Sequence, residues 1–236
     1  MADESQDFSG ITNPNTRARG ARGNPVRLGK HLASIKAARY FKSGNTGNAP
    51  VCVVECSIEK TIQTGCFNGI LTPEEVQLAL DPNGHDMAHT EGETVAAVWK
   101  KDGAQAQVFD GNVKGFLLAG KQSLLNMIQG AKEAGHPEAA DYAAYYASKG
   151  IDMDPSKRND LTGTEVTAIF AEAPPTNKPE DAEKLQAFAG LSVYIVANRI
   201  KTKGKGIAIN ATAFDPVPTA EWKKNFLEAL DAAKAA

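Results

Sequence analysis

Residues 190–214, GLSVYIVANRIKTKGKGIAINATAF, restrict the fold more than any other stretch of the chain. Two runs rich in Val, Ile, Ala and Tyr flank KTKGKG. Lys203-Gly204-Lys205-Gly206 signals a turn, because glycine enters positive φ without the steric penalty that other residues meet. Over 191–200, Leu191, Val193, Ile195 and Ala197 alternate with Tyr194, Val196 and Asn198, the period of a half-buried strand. Over 207–214, Ile207 and Ile209 alternate with Asn210 and Thr212. The pattern predicts a β-hairpin. Near its tip Arg199, Lys201, Lys203 and Lys205 occur at every second residue, which puts four cations on one side of an extended strand. One reading of such a tip is a set of solvated lysines that keep a sheet edge from aggregating. The other is a finger that tracks a phosphate backbone at the end of a β-barrel.

Composition favours neither reading but sets the class. With 236 residues, 42% hydrophobic and 23% charged, the chain suits one sizeable or two small globular domains. It holds no apolar run long enough to span a bilayer, and MADESQDFSG lacks the basic and apolar regions of a secretory signal. Three cysteines, Cys52, Cys56 and Cys66, point to free thiols in a reducing cytosol. The net charge of −2 conceals an asymmetry. No acid occurs between Asp7 and Glu55, a window that holds Arg17, Arg19, Arg22, Arg27, Lys30, Lys36, Arg39 and Lys42. A one-signed block in a balanced chain fits a polyanionic partner, and arginine grips phosphate in a fork. A flexible, solubilising arm would read the same way.

Taken in order, residues 1–28 are rich in Gly, Asn, Pro, Arg and Ser and form a basic arm without a core of its own. Residues 29–60, interrupted by SGNTGN at 43–48, form a long hairpin. Thr72-Pro73-Glu74-Glu75 is a capping box that opens a short helix to about Leu80. ETVAAVWKK at 93–101 is a strand, Asp102-Gly103 a turn, and AQVFD its short partner strand. Helical spacing of Val113, Phe116, Leu117, Leu124, Leu125 and Ile128 places a helical insertion over 112–150, in two helices divided at Gly135. GTEVTAIFAEA reads as a strand, 179–188 as a short helix, and 219–236 as a C-terminal amphipathic helix capped by Thr219. The fold class is α+β: mainly β with a helical insertion, a five-stranded or larger antiparallel barrel.

At this point the order of parts, TVAAVWKK, GNVKGFLLAG, a helical insertion, then FAGLSVYIVANRIKTKGKGIAINATAF, resembles the OB-fold single-stranded-DNA-binding proteins of tailed bacteriophages. The resemblance runs from about residue 29 to 218. It implies an OB-like five-stranded antiparallel barrel with inserted helices and a C-terminal helix. It also implies sequence-independent binding and protection of single-stranded DNA in phage replication or recombination, in the host cytoplasm. The C-terminal FLEALDAAKAA departs from the acidic tail with which many such proteins recruit partners.

Sequence-neutral binding needs cations along the backbone and flat side chains on which bases stack. Arg39, Tyr40 and Lys42 supply both at a strand end, as do Trp99, Lys100 and Lys101. Tyr194 precedes Arg199, Lys201, Lys203 and Lys205 on the hairpin. Adjacent Tyr40 and Phe41 face opposite ways on a strand, so Tyr40 and Trp99 are the favoured stacking rings. Phe116, Phe188 and Phe226 are assigned to the core.

Other chemistries fare worse. His85 and His89, with Glu91 nearby, follow a Pro-Asn-Gly turn and do not match HExxH, so they read as surface histidines. Cys52 and Cys56 share one face of a strand, too far apart for a common zinc ion. Asp152 and Asp154 precede Lys157 and Arg158 in a loop and read as solvated acids. No P-loop, GxGxxG or GxSxG is present, so no catalysis, metal or cofactor is expected. The rival function is a virion or filament subunit whose N-terminal arm lies on a neighbour. Self-association along DNA would join the two readings.

Overall fold

The computed structural model describes residues 24–43, 49–64, 88–101, 106–170, 186–201 and 208–235. The expected helix at 73–80, the hairpin tip at 202–207 and most of the arm lie outside them. The strands are β1 (Asn24–Pro25), β2 (Gly29–Ser43), β3 (Ala49–Thr64), β4 (Thr94–Lys100), β5 (Ser192–Lys201) and β6 (Ala208–Pro216). The helices are α1 (Ala106–Glu133), α2 (Ala139–Ser148), α3 (Gly163–Ile169) and α4 (Thr219–Ala235), with a single 3-10 turn at Pro155–Lys157. The class is α+β.

The strands form one six-stranded sheet in the order β1-β4-β3-β2-β5-β6. β1 runs parallel to β4 and every other pair is antiparallel. This corrects the expected five-stranded antiparallel barrel: a sixth, parallel strand borders β4, and among the described residues no backbone pairing joins β6 to β4. The extra strand comes from the end of the presumed arm, where Val26 is buried in the core.

The β2–β3 register shifts three times, with the extra residue Ile62 and then Glu59 in β3 and Lys36 in β2, and each extra residue kinks its strand and adds twist. β5 pairs only with Gly29–Ser34; beyond it the Ile35 amide donates to the Leu191 carbonyl at 2.9 Å. β2 therefore changes neighbours half-way along its length.

Alternation sorts the side chains. Ala33, Ile35, Cys52, Val54, Val95, Ala97, Val193 and Ile195 face α1 and are buried. Phe116 of α1 sits at the centre of that space, fully buried, as its helical spacing predicts. Its ring lies 6.5 Å from Trp99, 5.1 Å from Phe214 and 6.2 Å from Phe188 between centroids. Phe188 in turn covers Gly120, where a Cβ would come within 2.6 Å of the ring, so only glycine lets helix and ring approach. Phe226 is only half-buried, in a cluster with His136, Tyr142 and Trp222.

Two segments read as strands are helical. AQVFD forms the first turns of α1, where Phe109 continues the buried stripe of Val113 and Phe116. GTEVTAI forms α3, because Thr162 and Glu165 make a capping box. Glu165 does more than cap. Its carboxylate lies 2.6 Å from the Lys121 ammonium, with both side chains buried. Lys121 also donates to the Asp160 carbonyl at 2.8 Å, and Glu165 accepts from the Asp152 and Thr162 amides. Burial opposes the charge on Glu165, but Lys121 and these amides outweigh it and hold the carboxyl below its ordinary value. The pair pins the segment after α2 onto α1.

Candidate nucleic-acid interface

The register gathers six of the expected site residues at one end of the sheet. Tyr40 lies opposite Cys52, and Cys52 opposite Trp99, in one row across β2, β3 and β4. One step nearer the end, Lys100 pairs with Val51, and Lys42 with Pro50. The Lys101 amide donates to the Pro50 carbonyl at 2.8 Å. Arg39 stands opposite Val53.

Alternation then divides them. Tyr40 faces the helices. Its ring lies 6.1 Å from Phe109 and 5.7 Å from Phe170 between centroids, yet the residue stays 46% exposed. It is a ring supported from beneath and open above. Lys101 reaches Asp110 at 2.9 Å and hangs over the Phe109 ring beside it. Arg39 and Lys100 point to the opposite side of the sheet, where Arg39 pairs with the buried Glu55 and Lys100 is exposed. Lys42 is exposed at the rim.

Trp99 corrects the expectation of a stacking ring. It follows the inward parity of Val95 and Ala97, is 8% exposed, and packs on Phe116 and Phe214. The outward residue of this pair is Val98, 49% exposed, which sequence reasoning missed although the alternation of TVAAVWK implied it.

Tyr194 corrects it too. Its ring is covered by the Lys30 ammonium, 4.1 Å from the centroid, and its hydroxyl donates to Glu221 of α4. Burial, reinforced by the Glu221 carboxylate, pushes the phenol above its ordinary range. The residue fastens α4 to the sheet.

The expected single trough is also divided. Gly29 pairs with Ala197, so residues 198–201 extend past the start of β2, away from Lys42. Arg199 and Lys201 sit in that extension, opposite Asn210 and Ala208. Lys203 and Lys205 lie outside the described residues. Because β5 runs antiparallel to β2, the last residues of the two strands lie at opposite ends of the sheet.

The metal reading gains no ligand set. Among the described residues no three His, Cys, Asp or Glu side chains are grouped to hold an ion. His85 lies outside these residues, and His89 is buried rather than on the surface. Cys52 and Cys56 are buried thiols, and burial pushes Cys52 up to about 12. Asp152 pairs with Lys157 at 2.9 Å, and the Asp154 side chain caps the 3-10 turn by accepting from the Ser156 amide. Among the described residues no helix is long and apolar enough to cross a membrane.

No protein-family model matches the chain, and no curated protein matches it either.

Proposed function

We propose that the chain binds single-stranded DNA without sequence preference, across the end of the sheet where β2 turns into β3. The observation that carries this reading is the half-exposed Tyr40 with Lys42 and Lys101 on its own side of one sheet end, and with Arg39 and Lys100 at the same end on the reverse side. Cations beside a supported, open ring are the two parts that sequence-neutral binding needs.

The strand order supports an OB-like reading of the fold. Without β1, the order is β4-β3-β2-β5-β6, with α1 between the third and fourth of these strands in sequence. An OB-fold is a partly open five-stranded barrel that binds oligonucleotides on its second and third strands and on two flanking loops. The corresponding strands here are β3 and β4, and the loops are residues 44–48 and 202–207. Arg199 and Lys201 end the strand that leads into the second loop, at the sheet end opposite the first cluster, so they form a second group of cations and not a continuation of the first. The role that fits is coating of strands exposed in phage replication or recombination, in the host cytoplasm and without catalysis.

Fluorescence anisotropy of labelled oligo(dT) over a salt series tests this. Affinity should fall steeply with salt, and Lys42→Ala, Lys100→Ala and Lys101→Ala together should flatten the log–log slope by about 2. A chain that ignores the oligonucleotide at low salt would overturn the proposal and leave the virion or filament subunit as the better reading.

A further inference from the structure

We propose that His31 and His89 form an acid-sensitive clasp that holds residues 24–28 against the edge of β4. The clasp grips the main chain of Arg27 at both of its polar groups. The Arg27 amide donates to Nε2 of His89 at 2.9 Å, and its carbonyl accepts from Nε2 of His31 at 3.0 Å. Both histidines are buried, with their rings edge to face at 4.7 Å between centroids.

One arrangement of the protons leaves both rings neutral. Nε2 of His89 accepts, so its proton sits on Nδ1, 2.9 Å from Oε2 of Glu93. Nε2 of His31 donates, so Nδ1 accepts from the Thr61 hydroxyl at 3.1 Å. The Thr61 oxygen in turn accepts the His89 amide at 3.0 Å. In this arrangement both rings are neutral, and the buried Nδ1 of His89 has the Glu93 carboxylate as its polar neighbour.

A proton added to Nε2 of His89 sets a donor against the Arg27 amide, and that hydrogen bond is lost. A proton added to Nδ1 of His31 makes Thr61 an acceptor and turns its hydroxyl to the more distant His89 carbonyl at 3.5 Å, and it puts charge against the second ring.

Among the described residues, few other groups face this cluster. From the 24–28 segment, Arg27 donates to the Ala88 carbonyl at 2.6 Å and lies 4.0 Å from Glu93, while Asn24 donates to Glu93 at 3.0 Å. From β3 the facing side chain is the neutral Thr61. Lys30 is turned to Tyr194, Glu59 to Ser192, and Lys60 and Glu91 are exposed. Burial opposes the charge on Glu93, but hydrogen bonds from Asn24, His89 and the Thr90 amide hold it down at about 2, so it stays a carboxylate. Imidazole is the side chain whose ordinary charge change falls between pH 5 and 8.

The clasp is tightly built. Gly29, at φ 146, admits no Cβ, which would collide with the Gln63 carbonyl and press on the His31 ring at 3.1 Å. What it secures is the pairing of Asn24 with Val95 and Pro25 with Ala96, and the burial of Val26.

Amide hydrogen exchange by NMR on the full chain, corrected for the intrinsic pH dependence of exchange, tests the proposal. The Arg27 amide should be protected at about pH 7.5 and lose roughly tenfold or more of that protection at about pH 5, with the Val53 amide of β3 unchanged. His89→Gln, which offers a neutral acceptor at every pH, should keep Arg27 protected in acid. His89→Phe should release it at both pH values. Equal Arg27 protection at the two pH values would overturn the clasp, and so would a loss shared equally by Val53, which would be global unfolding. If either variant fails to fold, the exchange of the unaltered chain decides alone.

Discussion

The rings of Trp99 and Phe214 meet edge to face with 5.7 Å between centroids, although their strands stand at far ends of the order β4-β3-β2-β5-β6. The sheet therefore curls round Phe116 until its distant strands touch through side chains. Replacing Trp99 by Ala should destabilise the fold by about 3–5 kcal/mol, the usual cost of emptying a large aromatic site. Urea denaturation checks this, and a cost below about 1 kcal/mol would mean that the ring is not part of the core. Where the variant remains folded, the salt slope of oligonucleotide binding should be unchanged.

Tyr40 should behave in the opposite way. Its ring rests on Phe109 and Phe170 but remains half-exposed. Tyr40→Ala should weaken oligo(dT) binding by about 1–3 kcal/mol, the worth of one stacked base. Thermal unfolding should move far less than for Trp99→Ala. Unaltered anisotropy titrations would remove Tyr40 from the interface.

The Lys121–Glu165 pair gives an asymmetric prediction. Lys121→Met leaves a buried carboxylate without its cation and should cost about 3–5 kcal/mol. Adding Glu165→Leu removes the stranded charge and should recover much of that loss, although Thr162 then loses its reciprocal cap. Denaturation of the two variants measures the difference, and equal loss in both would show that the charge was not what mattered.

Stability should also fall in mild acid. Burial, opposed by the hydrogen bond to the Arg27 carbonyl, pulls His31 below its ordinary value. As pH drops below about 6.5, the unfolded chain takes up a proton that the folded chain refuses. The stabilisation is therefore complete above that pH and declines beneath it until the folded state is protonated as well. Urea midpoints over a pH series should show this slope, and His31→Asn should flatten it.

Local pattern carried most of the sheet. The alternation in 191–200 placed β5, the SGNTGN loop within 29–60 divided β2 from β3, and the spacing of Phe116, Leu117 and Leu124 placed α1. Failures came where one residue served two patterns. AQVFD has the aromatic and branched content of a strand, yet Phe109 extends the stripe of α1. GTEVTAI has the same content, and Thr162 with Glu165 starts a helix that outweighs it. At the candidate interface, residue types were legible but their facing was not. Trp99 and Tyr194 carry the aromatic chemistry of a binding surface and spend it inside the fold. Trp99 shares the face of Val95 and Ala97, whereas Tyr194 lies opposite Val193 and Ile195 under Lys30 and Glu221, and a lone strand does not reveal which of its faces will be covered. The clasp was out of reach for a similar reason, since Arg27, His31, Thr61 and His89 are assembled from four separate segments.

The pairing of Asn24 and Pro25 with β4 moves the border of the arm. Trimming the chain to residue 28, where composition alone would cut, removes a strand, leaves the space of Val26 unfilled and frees both histidines of their grip. A cut ahead of Asn24 spares all three, so shortened versions of the protein should be begun there.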